Sequence, residues 1–213
     1  MKILGILAGA ALLVGAQSAY AVTITNGNFE TPIVGGAYST YGAGAEGTTQ
    51  LTGWGIDGAG IDHIGSYWNA QSGNQSVDLN GLGIGGISQT ITGLNNGQEY
   101  TVSFYVAATP GYGPQDINVS FGTTNQLVSL GDTGSSSNMN WTVQTIKFIA
   151  DATGTALLKF AGTGNLINNA AGMALDNVTI AATPIPGALL LFGSALGGMG
   201  FLGYRRKKQA ATA

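Results

Sequence analysis

The 213-residue chain contains no cysteine and one histidine, and only 8% of its residues are charged. Without cysteine it has neither a disulfide framework nor a thiolate metal site. Between residues 22 and 183 the cations are Lys147 and Lys159 against ten carboxylates, a net charge of −8. Nucleic-acid binding needs clustered Lys and Arg, so the composition argues against it. An acidic surface suits divalent cations or neutral sugars better.

The scarcity of histidine also restricts catalysis. A Ser-His-Asp triad would have to use His63, and no Gly-x-Ser-x-Gly sequence presents a serine. The E-x-D-x-E strand of some glycanases is absent as well. We interpret the single acids Asp57, Asp62, Asp78 and Asp116 as turn residues. The sequence therefore predicts that the protein is not an enzyme, with a glycosidase as a distant alternative that needs only two carboxylates.

The first 21 residues have the pattern of a secretory signal peptide. Lys2 precedes an apolar run from Ile3 to Ala16, and Ala19 and Ala21 form a small-x-small cleavage site. We therefore expect residues 1–21 to direct export and residues 22–182 to form one domain.

Residues 183–213 combine a proline motif, an apolar span and a basic end. The seventeen residues from Gly187 to Gly203 would reach roughly 26 Å as a helix, and we predict one transmembrane helix over residues 187–204. The cations that follow would hold that end in the cytoplasm. The motif is Pro184, Ile185, Pro186 and Gly187, and the basic end is Arg205, Arg206, Lys207 and Lys208.

In this order the three parts resemble the PEP-CTERM tail of Gram-negative bacteria that make exopolysaccharide. The resemblance implies a partner, a membrane-embedded exosortase-type enzyme that cuts near the proline motif. It also implies transient anchoring in the inner membrane before delivery to the cell surface or matrix. The common motif has Glu between the prolines, where this chain has Ile185.

The middle of the chain predicts an all-β domain, because turn residues separate short β-rich runs and helical periodicity is absent. So many strands predict a jelly-roll sandwich, with a parallel β-helix as the alternative, for which no fixed repeat is found. The clear strands are residues 99–108, 116–122, 141–150, 155–161 and 173–181, and the weaker ones are 22–25, 75–79 and 86–92.

Four segments in this domain also follow a familiar order: NGNFETP, GWGIDGAGIDHIGSYWNAQSGNQSVDLNG, GGISQTITGLNNGQEYTVSFYVA and MALDNVTI. They resemble the choice-of-anchor C family, itself similar to the galactose-binding-like sandwiches of plant cell-wall proteins. The resemblance spans residues 24–181 and implies a jelly-roll sandwich of carbohydrate-binding type. The glycine-rich stretch between Pro32 and Leu51 predicts a flexible loop.

Aromatic side chains are candidates for gripping a sugar, because the apolar face of a pyranose stacks on a ring. Tyr67, Trp68 and Asn69 lie in a polar stretch, and adjacent residues of an extended chain point to opposite sides. We therefore expect one of Tyr67 and Trp68 to be exposed, with Tyr112 as a second loop candidate. Trp54 and Trp141 are expected in the core.

Glu30 and Asp176 are the candidate metal ligands. They lie near the first and last strands, and two carboxylates close together need a cation to be tolerated. The resemblance to carbohydrate-binding sandwiches implies a structural Ca²⁺ there, which would suit oxygen ligands. The alternative is that both carboxylates accept backbone N–H groups.

Residues 81–86, GLGIGG, match the G-x-G-x-x-G dinucleotide fingerprint. That fingerprint functions when the glycine turn opens a helix. A β-rich run follows here, so we interpret the match as a loop.

Two functional hypotheses remain. The first is an exported module that binds polysaccharide at the cell surface or in the matrix. The second is a structural surface protein that associates with copies of itself. An exposed Tyr67 or Trp68 beside polar groups favours the first, and a long uncharged strand edge favours the second.

Overall fold

The computed structural model describes residues 22–46, 49–132, 134–163 and 171–184. The predicted signal peptide, most of the proline motif (Ile185, Pro186 and Gly187), the predicted transmembrane helix and the basic end lie outside these ranges. Within the ranges, no helix has the length and hydropathy required to cross a bilayer.

The described ranges contain eleven strands and no helix. In chain order they are β1 (Tyr38–Tyr41), β2 (Gly55–Gly58), β3 (Ile61–Ile64), β4 (Ser76–Asp78), β5 (Gly85–Thr92), β6 (Glu99–Ala108), β7 (Gln115–Phe121), β8 (Thr124–Leu130), β9 (Thr142–Ile149), β10 (Thr155–Gly162) and β11 (Met173–Ala182).

These strands form two sheets that pack face to face. The six-stranded sheet has the order β1-β3-β4-β11-β6-β9, and the five-stranded sheet has the order β2-β5-β10-β7-β8. All strand pairs are antiparallel. The prediction of an all-β sandwich is confirmed.

Alternating side chains from both sheets fill the space between them. In β6 the even-numbered residues from Tyr100 to Val106 are buried, and the residues between them are half-buried. Phe104 meets Phe160 of the opposite sheet edge to face, with ring centroids 5.0 Å apart. Trp54 is fully buried as predicted and donates its indole N–H to the Asn26 carbonyl at 3.1 Å. Since one face of each sheet is apolar, the sandwich is the arrangement that buries both.

A second, smaller apolar cluster lies on the outer face of the six-stranded sheet. Ile64 of β3, Ala107 of β6 and Ala174 of β11 provide its floor, and Trp68 and Met139 cover them. Trp141, predicted to be a core residue, is half-buried and packs against this cluster. The loops around residues 65–75 and 134–141 are therefore held against that sheet.

The structure differs from the predicted strands in two ways. Residues 22–25 are not a strand, and four strands were not predicted: β1, β2, β3 and β8. β1 lies within the stretch predicted to be a flexible loop and pairs with β3 from Tyr38↔Ile64 to Tyr41↔Ile61. β1, β2 and β3 have only four residues each. A run that short carries too little alternation to be recognised without its partner strand.

Candidate functional site

A cleft opens on the outer face of the six-stranded sheet, above β3 and β4. Its inner part has a volume of about 180 Å³. It continues into an outer part of about 460 Å³, bounded by residues 109–111 and 134–136. Tyrosine, aspartate and threonine side chains line the inner part: Tyr38, Asp62, Tyr67, Asp78, Thr109 and Tyr112.

Tyrosine rings form the walls of this cleft. Tyr38 is 51% exposed and Tyr67 is 47% exposed. Their rings meet nearly at right angles, 80°, with centroids 5.9 Å apart. Tyr112 is half-buried and completes the set. Perpendicular rings leave a concave aromatic corner that faces solvent, which is a suitable surface for a small ligand with both apolar and polar sides.

Trp68 does not provide the exposed ring predicted as one possibility. Its side chain is 3% exposed, it belongs to the outer apolar cluster, and its indole N–H donates to Ser76 Oγ at 2.8 Å. Of the two neighbouring aromatics, Tyr67 is therefore the exposed one. Trp68 borders both parts of the cleft, and its buried ring supports Tyr67, whose centroid lies 5.5 Å away.

Asn69 ties two loops together. Its backbone N–H donates to the Ser136 carbonyl at 2.9 Å and its Nδ2 donates to the Ser137 carbonyl at 2.8 Å. The Asn69 carbonyl accepts the Trp141 indole N–H at 3.1 Å. Asn69 is not among the residues that line the cleft. These hydrogen bonds brace the loop that carries Tyr67, and the predicted ligand contact of Asn69, which is exposed and lines a wider depression beside the cleft, stays a prediction.

Asp62 and Asp78 place two carboxylates side by side at the base of the cleft. They are directly opposite one another in the pairing of β3 with β4. Thr40 donates its hydroxyl to Asp62 Oδ1 at 2.5 Å. Asp78 Oδ1 accepts the backbone N–H of Asn80 at 2.9 Å and of Gly172 at 2.7 Å. The interpretation of the single acids as turn residues is wrong for Asp57, Asp62 and Asp116, which lie within β2, β3 and β7. Asp78 ends β4 and accepts the N–H of the residue two positions on, as an Asx turn does.

Burial raises the pKa of both carboxyl groups. For Asp62 the hydrogen bond from Thr40 opposes the effect of burial. For Asp78, which is almost inaccessible, burial raises the pKa well above its usual range, and the charge of Asp62 raises it further. The hydrogen bonds that Asp78 accepts oppose this shift. Ionisation of both carboxyl groups at once is therefore unfavourable in this partly desolvated cleft.

Glu30 and Asp176 hold the two ends of one loop. Asp176 Oδ2 accepts the N–H groups of Gln71 at 2.8 Å and Ser72 at 2.9 Å, and its Oδ1 accepts that of Asn177 at 2.6 Å. Glu30 Oε1 accepts two N–H groups farther along the loop, from Asn74 at 2.8 Å and Gln75 at 2.9 Å. Both carboxylates thus accept backbone N–H groups, which is the role we gave as the alternative to binding a metal.

Burial raises the pKa of Asp176 to about 7, against the lowering effect of its N–H donors, and the nearby Glu30 charge adds to the rise. Among the described residues, no three His, Asp or Glu side chains are grouped to hold a metal. Backbone N–H groups already point their partial positive charge at Asp176 Oδ1, Asp176 Oδ2 and Glu30 Oε1, and a bound cation would need the same oxygens. The binding of Ca²⁺ by Glu30 and Asp176 stays a prediction.

A wider depression of about 880 Å³ lies beside the cleft, between residues 30–36 and 65–75. Of the described residues that line it, only Trp68 is aromatic, and Trp68 is buried. It offers polar loop atoms but no exposed ring, so we place the candidate site in the cleft.

Sequence analysis identified Tyr67 and Tyr112 but missed Tyr38, Asp78 and Thr109 as cleft residues. The one available signal was the alternation in IDHI and SVD, which places Asp62 and Asp78 opposite the core-facing residues of their strands. Using it requires knowing that β3 pairs with β4, which lies beyond a loop of eleven residues, 65–75.

One comparison with a solved structure agrees with the observed fold, and a second gives a weaker similarity. A cyclase from Fischerella sp. TAU, solved with 4-(1H-indol-3-yl)butan-2-one, superposes with a TM-score of 0.52 at 19% identity, covering 78% of this chain and 98% of that one. The CBM22-1 xylan-binding domain from Paenibacillus barcinonensis Xyn10C gives a TM-score of 0.42 at 19% identity, covering 68% of this chain and 99% of that one.

Sequence comparison finds a relative in Halomucin of Haloquadratum walsbyi, 30% identical over 182 residues or 85% of this chain. This chain spans about 2% of the length of that relative. Residues 22–181 match the family described as "Protein of unknown function (DUF642)", and the chain belongs to that family.

Proposed function

We propose that the sandwich is a carbohydrate-binding module of an exported surface or matrix protein. The observation that carries this proposal is the exposed corner formed by Tyr38 and Tyr67 above the Asp62 carboxylate. A pyranose has an apolar face that would pack on one ring. Its hydroxyl groups would donate to Asp62. Thr109 lines the cleft but is buried, and its hydroxyl donates to the Gly172 carbonyl at 2.6 Å.

This arrangement supports a binding role over the two other hypotheses. An exposed Tyr67 beside polar groups is the feature expected of a binding module. The edge strand β9 carries Lys147 at its centre, and a charge on an edge strand opposes pairing. The edge strand β8 of the other sheet is uncharged over seven residues, which supports self-association as an alternative. We therefore propose binding without catalysis, and self-association is the second candidate.

Replacing Tyr67 by alanine should weaken binding to a responsive polysaccharide by at least about tenfold, because a lost stacking contact of ~1.4 kcal/mol corresponds to that factor. The full chain, purified in a mild detergent, is screened against neutral, basic and acidic polysaccharides by affinity electrophoresis. Affinity for each ligand bound by the wild type is then measured for the variant by calorimetry.

Leu127→Ala is the matched control. Leu127 is 59% exposed and lies on β8 in the other sheet, so its removal changes apolar surface outside the cleft. We expect its affinity to equal that of the wild type. If Tyr67→Ala binds as tightly as Leu127→Ala, the cleft is not the binding site. If the wild type binds no polysaccharide, the proposed function is wrong.

We further propose that the protein follows the sorting route implied by the resemblance to PEP-CTERM tails, with an exosortase-type enzyme as partner. Among the described residues, the last one that bonds to the sheet is Thr183, whose N–H donates to the Glu99 carbonyl at 2.8 Å. Pro184 follows directly and is exposed. The proline motif would thus begin where the folded domain ends, within reach of a membrane enzyme.

Deleting residues 184–213 should change the protein from membrane-associated to freely soluble in the periplasm or medium, because the deleted tail is the proposed anchor. Fractionation of cells and immunoblotting measure the distribution. Deleting only residues 209–213, beyond the basic end, is the control and should leave the protein with the membranes. Unchanged membrane retention of the longer deletion would refute the anchor.

A further inference from the structure

Two aspartates and three tyrosines line the cleft, and none of the described residues that line it is a lysine or an arginine. In the described part of the chain the lysines are Lys147, which pairs with Glu99 at 3.1 Å, and Lys159, which pairs with Asp57 at 3.2 Å. Neither lysine lines the cleft. A negative charge on Asp62 is therefore not compensated by a cationic side chain of the described residues.

Two physical effects make this cleft attractive to a positive charge. Burial disfavours the ionised form of the paired acids Asp62 and Asp78, and a nearby cation stabilises that form. The faces of aromatic rings are also negative, so they attract an ammonium group within about 6 Å of the ring centroid. Because Tyr38 and Tyr67 stand at right angles, an ammonium group between them can contact the face of one ring while it approaches Asp62.

We propose that the cleft binds an amino sugar, whose protonated amine lies between the Tyr38 and Tyr67 rings and the Asp62 carboxylate. This inference rests on the carbohydrate-binding function proposed above and names its ligand class. The remaining hydroxyl groups of the sugar would meet the polar loop atoms of the outer part of the cleft. A uronic acid would bring a third carboxylate beside Asp62 and Asp78 and would be repelled.

The test compares two trisaccharides that differ only at carbon 2: the β-1,4-linked trimers of glucosamine and of glucose. At about pH 6 the first carries amines that are protonated, and the second carries hydroxyl groups in the same positions. Calorimetry with the full chain in detergent should show at least about tenfold tighter binding of the glucosamine trimer. The trimer of galacturonic acid should not bind measurably.

Asp62→Asn tests the residue, because it removes the charge and keeps an oxygen that can accept from Thr40. We expect it to bind the two trimers equally. Asp57→Asn changes the net charge by the same amount on the other sheet, so it controls for general attraction between a cationic sugar and an acidic domain. It should keep the preference for glucosamine.

Each outcome decides a different point. If the wild type binds both trimers equally, the amino-sugar inference is wrong and the carbohydrate-binding function stands. Absence of binding to all trimers and polysaccharides would overturn both. A preference lost equally in Asp57→Asn and Asp62→Asn would assign it to net charge and not to the cleft. The ligand series uses the unmodified protein, so it decides the question even if Asp62→Asn does not fold.

Discussion

Replacing Asp176 by alanine should lower the free energy of unfolding by about 4 kcal/mol, in EDTA as well as in calcium. The Asp176 side chain is fully buried and accepts three backbone N–H groups. Alanine would leave these donors without their acceptor, at about 1–3 kcal/mol for each donor that water cannot reach. Because Gln71 and Ser72 belong to the loop that follows Tyr67 and Trp68, we also expect weaker ligand binding.

Urea denaturation at about pH 6 and at about pH 8 measures this loss. Because burial raises the folded-state pKa of Asp176 to about 7, the stability that Asp176 contributes falls as the pH rises through 7, so the loss should be larger at pH 6 than at pH 8. Each variant is examined in calcium and in EDTA. A loss that appears only in calcium would contradict the hydrogen-bonding role and support the predicted Ca²⁺. A loss that is the same in both would place no metal at this pair. Asp151→Ala is the control, because Asp151 accepts a backbone N–H in an exposed turn and its removal should have little effect.

Replacing Gly85 by alanine should cost about 3 kcal/mol of folding free energy, at the upper end of the usual range for an added methyl group in a packed site. The new Cβ would overlap the Gly60 carbonyl oxygen and would lie 2.7 Å from the Gly60 carbonyl carbon. Both are backbone atoms, and Gly85 is held in register with Gly58 of β2. The chain therefore cannot move aside without breaking that pairing.

Gly83→Ala provides the matched control within the same GLGIGG run. Its Cβ would meet only Ala59 Cβ, at 3.2 Å. We expect a change of less than about 0.5 kcal/mol, and thermal denaturation of both variants measures the difference. Equal stability of the two variants would contradict the close packing at Gly85. If Gly85→Ala is the less stable variant, as expected, then Gly85 is required for close backbone packing against Gly60, and the GLGIGG run is not a phosphate-binding turn.

Strand prediction succeeded where a run was long enough to show which side chains alternate. β6 was predicted at its observed bounds, and the strands predicted at 155–161 and 173–181 each end one residue early. It failed for the four-residue strands β1, β2 and β3, and for the seven-residue strand β8. These strands form because a neighbouring strand supplies hydrogen bonds, and local sequence does not record that neighbour.

For the site as well, the sequence predicted some residues correctly and others not. Tyr67 and Tyr112 could be proposed because aromatic residues in polar, glycine-rich stretches are unusual. Trp68 looked equivalent to Tyr67, but its burial depends on Ile64 and Met139, which come from a strand and from a distant loop.

The sequence alone determined the composition of this protein and its consequences: no thiol chemistry, an acidic domain between two apolar ends, and enough short β-rich runs to require a sandwich. Only the tertiary structure decided which side chains share the cleft. Tyr38, Asp62, Asp78 and Thr109 come from separate segments, and antiparallel pairing of β1, β3, β4 and β11 brings the first three together. Alternation tells which residues of one strand share a face. Which strands become neighbours depends on long-range burial and hydrogen bonding, which no single segment contains.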